Sequence, residues 1–438
     1  MTKNSLKSNT EDSKSSALRT LRDLRPEMTE LLKGLVRVDT VAIPPDGDET
    51  PGQIVLHKFF KRHGISTELY ETEFVARSRS PWRRKNRNYK GRMNLVARHT
   101  GSGDGRSLLL SGHMDTVPTH LPGWKHSPWE PSLRRGRMSG LGTFDMKGGL
   151  VAQAALLVAL KQAGVRLKGD LLFESVVDEE WGGGNGTLAG RMRGDNADAC
   201  VIAEGTQMEI YRATRGSFVV DLLVRAGSEK DYFSSGEVVS PAIALGRLLG
   251  WVDSWVQRRK KVNAIGAYRD FDDAAPVQVL AVEANRMENL LPLSVPLQAG
   301  VRVYFQFLPN EDVPAITAQI EASLRRFEKQ DPFFRRFPIT WSPLLESPLL
   351  GHELSASHDW TKCMVESVKQ TLGSATLTAA PYPCDAFLMQ RAYNIPTLVF
   401  GPCGGGAHNP NEYVEMNSLF KSSEAMLTAA LDWCGTQA

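Results

Sequence analysis

An apolar run, Ser107-Leu-Leu-Leu-Ser111, leads without a break into Gly112-His113-Met114-Asp115. The run reads as a buried strand. In extended chain, side chains two apart point to the same side, so an imidazole and a carboxylate leave the strand end together. Open α/β sheets bind their ligands outside the carboxyl ends of the strands. Alone, the pair has a plain reading as surface polarity. Its recurrence along the chain changes the argument.

Asp170-Leu-Leu-Phe-Glu-Ser-Val-Val177 reads as a strand and runs into Asp178-Glu179-Glu180. Ala199-Cys-Val-Ile-Ala203 reads as a strand and ends at Glu204, and Ile395-Pro-Thr-Leu-Val-Phe400 leads through Gly401–Gly406 to His408. Asp145 opens the helical segment Leu150–Leu160. Each acid has its own ordinary explanation: Asp145 as a helix-start residue favoured by the macrodipole, Glu179-Glu180 as a solvated acidic turn. Together, every one of them follows an apolar strand or precedes an apolar helix.

His nitrogens and carboxylate oxygens suit zinc and related divalent ions. His113, Asp145, Glu180, Glu204 and His408 are too many donors for one tetrahedral zinc. They fit two ions sharing one carboxylate and one water. Two divalent ions balance three carboxylates and a hydroxide, which leaves Glu179 free to move a proton. Paired ions with a spare carboxylate make a hydrolytic design.

The motifs Gly-His113-Met-Asp115-Thr-Val-Pro, Asp145-Met-Lys-Gly-Gly, Asp178-Glu179-Glu180, Ala-Glu204-Gly-Thr and Gly-Pro-Cys-Gly-Gly-Gly-Ala-His408-Asn-Pro-Asn-Glu412 resemble the zinc aminoacylase and carboxypeptidase superfamily. That group holds acetylornithine deacetylase, succinyl-diaminopimelate desuccinylase, aminoacylase-1 and bacterial glutamate carboxypeptidase. Glu at position 204 is similar to the deacetylase and desuccinylase branch. The resemblance implies two zinc ions per chain, with cobalt or manganese as substitutes, and Asp145 bridging them. It places His113 and Glu204 on one ion, Glu180 and His408 on the other. Glu179 becomes the general base, Asp115 the residue orienting the His113 ring, and the Asp145–Met146 peptide cis. Asn289 and Arg302 become substrate-binding residues of a lid, Arg302 as a fork for a substrate carboxylate. The chain departs from the family in one respect. The resemblance implies a lid His, yet there is no His between His126 and His352; Asp231, Tyr232 or Phe233 stands in its place, and Tyr232 is the candidate replacement donor.

The texture of the chain supports an α/β fold: a mainly parallel-sheet catalytic domain with an inserted ferredoxin-like (βαββαβ) lid and dimerisation domain. Residues 1–17, rich in Ser, Thr, Asn and Lys, read as a disordered tail without an apolar h-region. Residues 18–212 and 345–438 form the catalytic domain and residues 213–344 the lid. A net charge of +3 over 438 residues gives no argument for nucleic acid. Arg77–Arg92, with eight basic residues in sixteen, reads as a solvated loop. No stretch of eighteen apolar residues announces a membrane span, and five unpatterned cysteines fit a reducing cytoplasm. The expectation is a cytoplasmic homodimeric hydrolase of amide C–N bonds, acting on an N-acyl amino acid or small peptide, a small molecule bearing a carboxylate. An aminohydrolase or carbamoyl hydrolase of a non-peptide substrate is the alternative within enzymes, and a non-catalytic binding paralogue the alternative outside them.

Overall fold

Strand Leu108–His113 is buried along its whole length, and so is its parallel neighbour Leu171–Val176. These two near-continuous apolar runs centre an eight-stranded sheet in a computed structural model that describes residues 3–119, 122–225, 239–284 and 296–437, of which residues 3–11 are described by backbone alone. Contacts divide the chain into two units: Met1–Ala213 with Glu353–Ala380 and Cys384–Ala438, and Thr214–His352 with Pro381–Pro383. The chain re-enters the first unit at Glu353, past the position 345 read from the sequence. Ser217 explains the shift: its backbone N–H and carbonyl bond both ways to Leu349, at 3.0 and 2.8 Å, and keep that stretch in the second unit.

In the first unit the sheet runs Leu377–Thr378, Ile210–Tyr211, Thr397–Val399, Cys200–Ile202, Leu108–His113, Leu171–Val176, Met93–His99, Thr67–Glu71. The four middle strands, from Thr397–Val399 to Leu171–Val176, are mutually parallel. Met93–His99 and Thr67–Glu71 continue the sheet antiparallel on one side. Parallel strands need both faces covered. Helix Gly148–Gln162 supplies cover and is itself buried from Gly148 to Leu160. Among the described residues, Thr143–Gln162 is long and apolar enough by composition to cross a membrane, but it is 94% buried and serves as core.

Expected as a disordered tail, the start of the chain is instead helical, Lys3–Asp23. Its anchors are long-range and invisible to local composition. Ala17 and Leu21 are buried, the Lys14 ammonium meets Asp432 at 2.9 Å, and Arg22 meets the buried Glu424 at 3.1 Å.

The second unit is a four-stranded antiparallel sheet in the order Val277–Glu283, Gln298–Phe307, Gly216–Arg225, Ile339–Pro343. Helices Ala242–Arg259 and Val313–Gln330 pack on it through a core that includes Trp251, Trp255, Ile320 and Leu324. With the helices after the first and third strands, this is the ferredoxin-like order.

Gly149 fixes how closely helix Gly148–Gln162 meets the sheet. A Cβ there would lie 1.9 Å from the Ala203 carbonyl oxygen, at the end of strand Cys200–Ile202. Gly149→Ala must therefore push the helix away from the strand that leads to Glu204. Overpacking of this kind costs about 1–3 kcal/mol. The expected outcome is a lower denaturation midpoint in urea, with weaker retention of divalent metal on dialysis.

Candidate metal centre

Register decides what meets at the carboxyl edge of the sheet. His113 pairs with Val176 on one side, and Ser111 with Ile202 on the other, so the three strands end at the same level. Beyond those ends come His113 itself, then Glu179 and Glu180, and Glu204. His408 arrives from a hairpin whose arms, Gly404–Gly405 and Tyr413–Glu415, are paired and docked on Arg137–Ser139. Asp145 sits in the turn Thr143–Lys147 that starts the core helix, and its peptide to Met146 is cis. Two residues here hold left-handed backbone without being glycine, Asp178 at φ 64° and His408 at φ 60°. Such conformations cost about 1–3 kcal/mol and gather at functional sites.

The two oxygens of Asp145 face opposite ways. Oδ1 lies 3.2 Å from His113 Nε2, which in turn is 3.5 Å from Glu204 Oε1. Oδ2 lies 3.1 Å from His408 Nε2, which is 2.8 Å from Glu180 Oε2. The side chains thus fall into two groups that share Asp145. Donor atoms of His113, Asp145 and Glu180 lie within 4.8 Å of one another, and so do those of His113, Glu179 and Glu204. This donor chemistry fits divalent cations: imidazole and carboxylate ligands, converging, with no Lys or Arg among them.

The electrostatics point the same way. Burial, reinforced by the charge of Asp145, pushes the Glu204 carboxyl up to about 7. Burial and Asp145 likewise raise Glu180. Glu179 is raised well above the usual carboxyl range by burial first and by Asp385 next. Glu180 drives His408 up to about 12. Carboxyls that resist ionisation because they are buried and crowded by other carboxylates form a site that a divalent cation stabilises, since its charge offsets both effects.

Asp115 faces the His113 ring with both its backbone carbonyl and its carboxylate. The ring Nδ1 is 2.9 Å from the Asp115 backbone carbonyl and 3.6 Å from its carboxylate. The main chain therefore takes the ring hydrogen and leaves Nε2 for the site. The Asp115 carboxylate instead accepts the Glu180 backbone N–H at 3.0 Å, so it holds a glutamate turn.

Sequence reasoning passed over Glu412 and Asp385. Glu412 is buried and accepts three backbone N–H groups, from Gly142, Phe144 and Asp145, at 2.8, 2.7 and 2.9 Å. It shapes the turn that aims Asp145. The signal was present, four residues after His408. Asp385 is buried behind the glutamate turn, where Thr187 donates to its Oδ2, and it follows no strand end or helix start that would have marked it.

Arg302, expected to hold a substrate carboxylate, is not free. It stands opposite Asp221 in the second unit's sheet, and its Nε and Nη2 donate to that carboxylate at 2.7 and 2.8 Å. Cross-strand register brings this pair together, which no reading of spacing along the chain would reveal. Tyr232 and Asn289 lie outside the described residues.

Strand ends gathering histidines and acids on a parallel sheet are the layout of a metal-dependent hydrolase. The chain belongs to the peptidase family M20/M25/M40, whose model matches residues 109–432. It is similar to the N-formyl-4-amino-5-aminomethyl-2-methylpyrimidine deformylase of Bacillus subtilis, 25% identical over 441 residues covering 94% of this chain and 95% of that protein. It is also similar to the acetylornithine deacetylase of Salmonella typhi, 28% identical over 352 residues, 79% of this chain and 84% of that protein. In fold it matches the dipeptidase Dug1p of Saccharomyces cerevisiae, with a TM-score of 0.76 at 16% identity over 96% of this chain and 98% of that one. The protein is an enzyme, a metal-dependent amidohydrolase.

Two substitutions test how the centre is built. Asp145→Ala removes the group common to both halves, so elemental analysis should find both ions lost. Glu412→Gln replaces an acceptor with an NH₂ facing backbone N–H donors. Outer partners of ligands typically carry 10–100-fold in metal affinity, and a chelator titration should show a weakening of roughly that size.

Proposed function

We propose that this protein holds two zinc ions per chain and hydrolyses the amide of a small N-acyl amine, releasing a formyl or acetyl group. The observation that carries the reading is the division of Asp145 between two imidazole–carboxylate groups, with Glu179 beside them. Asp145, His113 and Glu204 would hold one ion; Asp145, His408 and Glu180 the other. When bound, the ions supply Lewis acidity to the substrate carbonyl and lower the pKa of water.

Glu179 does the proton work. Its carboxylate takes a proton from the attacking water as the water oxygen bonds to the acyl carbon. As the C–N bond breaks, Glu179 gives that proton to the departing nitrogen, so a carboxylic acid and an amine leave. Burial raises its affinity for a proton, which favours holding the proton between the two steps.

The similarity to a deformylase of an aminopyrimidine, over nearly the whole of both chains, favours a non-peptide N-acyl amine. The missing lid His supports the same preference. Without that donor, an acyl group of low hindrance and high electrophilicity is the more tractable, and loss of one oxyanion donor costs about 10²–10³-fold in turnover. N-formyl substrates should therefore outrun N-acetyl amino acids in a panel.

The reading extends to assembly and place. Strand Val277–Glu283 is a sheet edge with Val279, Leu280 and Val282 exposed at 41, 53 and 54%. An apolar open edge is a ready template for pairing with a second copy, which supports a homodimer formed through the second unit. All five cysteines are free, which supports a reducing cytoplasm.

The adjacent glutamates separate the roles. Glu179→Gln should lose turnover by about 10²–10⁴-fold, the usual worth of general acid–base catalysis, with two ions retained. Glu180→Gln should lose metal first. Metal loss in the Glu179 variant alone would exchange the two assignments.

A further inference from the structure

The basic run Arg77–Arg92 is solvated only in part: Arg77, Arg79, Lys85 and Lys90 are exposed, but its other basic residues are not. Arg84 and Arg92 are 6% and 2% exposed, and Tyr89 is 1% exposed. Their partners lie on one short stretch of chain. Arg84 donates to the Gly182 carbonyl through Nη2 at 2.9 Å and Nε at 3.2 Å, and to the Gly183 carbonyl at 3.3 Å. Its backbone is tied there too, by reciprocal bonds with the Asn185 side chain at 2.8 and 2.9 Å. Arg87 donates to the Trp181 carbonyl at 3.2 Å and stands 3.4 Å from Asp178. Tyr89 donates a short hydrogen bond to Asp178, and Arg92, bound to the buried Glu49, lies 3.6 Å from the other Asp178 oxygen.

Residues 178, 181, 182 and 183 are thus all gripped, and they bracket Glu179 and Glu180. The turn needs holding. Asp178, Gly182 and Gly183 have φ values of 64°, 97° and 64°. Its internal bonds are few: the Glu179 carbonyl accepts from Gly182 and Gly183 at 3.1 and 2.9 Å. The bonds of Arg84 and Arg87 named above go to backbone oxygens of the turn, and Arg87 and Arg92 face Asp178. Guanidinium is suited to this, since its rigid fork can span two carbonyls.

We propose that residues 84–92 are a clamp that positions Glu179, with Arg84 its principal positioning residue. The inference rests on the reading of Glu179 as the proton carrier. A proton acceptor must stay within hydrogen-bond reach of its water, and a misplacement near 1 Å costs about 100-fold. The clamp sets that distance from outside the site, without touching substrate or metal.

The test uses Arg84→Ala in the full-length, metal-loaded enzyme, beside Arg84→Lys and Glu179→Gln, on the fastest N-formyl substrate of the panel. The expected result for Arg84→Ala is a fall in kcat of about 10- to 100-fold with KM within about twofold and metal content unchanged. Hydrogen exchange at Gly182 and Gly183 should quicken, with the central strands unaffected. Free guanidinium, below denaturing concentration, should restore part of both, and Arg84→Lys should fall between. Wild-type kcat and exchange in Arg84→Ala would overturn the proposal. So would a fall in kcat matched by metal loss or by faster exchange throughout, because Arg84 would then be general scaffold. Should Arg84→Ala not fold, Arg87→Ala is judged by the same readouts. If Glu179→Gln keeps full turnover, the reading of Glu179 fails, while exchange at the turn still decides whether Arg84 holds it.

Discussion

Repulsion among carboxylates is the constraint on which the rest of this molecule depends. Asp145, Glu179, Glu180 and Glu204 converge beyond the ends of three strands, with burial and mutual charge raising the three glutamates. Left to themselves these groups would spread apart or take up protons. Their arrangement therefore has to be imposed by chain that is already fixed. The sheet does the first part, because parallel register brings three strand ends to one level.

The second part falls to backbone hydrogen bonds around each acid. Glu412 collects three amides of the turn bearing Asp145. The Asp115 carboxylate takes the Glu180 amide, and the Asp115 carbonyl fixes the His113 ring. Glu412 and the Asp115 carboxylate bind main chain, and the Asp115 carbonyl takes only Nδ1 of the His113 ring, so the donor atoms that face the site stay available. Charged hydrogen bonds to a buried partner are among the stronger local interactions, at about 1.5–3 kcal/mol. Close contact adds to them: Gly149 lets the helix behind Asp145 touch the carbonyl of Ala203, so Asp145 and Glu204 are set by one shared surface.

What could be read from the sequence follows from this division. Strand ends were legible because apolar runs mark buried strands, and so His113, Glu180 and Glu204 could be grouped before any coordinates. The βαββαβ order of the second unit was legible from the texture of the chain, as along Gly216–Arg225, where buried and partly exposed residues alternate in the strand. Long-range partners were not legible. The basic run looked solvated because its acceptors, Gly182, Gly183 and Asp178, lie about ninety residues away. The tail looked disordered because Asp432, which Lys14 meets, is at the other end of the chain. The pairing of Arg302 with Asp221 went unseen because the two face each other only through strand register. Composition reports local tendency, and each of these misreadings is a case where tertiary pairing outweighs it.

The run Asp178-Glu179-Glu180 shows how far environment separates residues of one type. Asp178 turns away from the site, into Tyr89, Arg87 and Arg92, where it anchors chain. Glu180 turns to His408 at 2.8 Å, and its amide is held by Asp115. Glu179 faces His113 and Glu204, with Asp385 behind it, and its affinity for a proton is raised well above that of an ordinary carboxyl. One acid anchors, and in the proposed mechanism one ligates and one carries a proton, though all three are consecutive. A strand-like alternation could only send the outer two the same way. The left-handed φ of Asp178 breaks that alternation at the first residue and lets three neighbours face three surroundings. That single backbone choice is what makes the clamp on this turn matter to the chemistry.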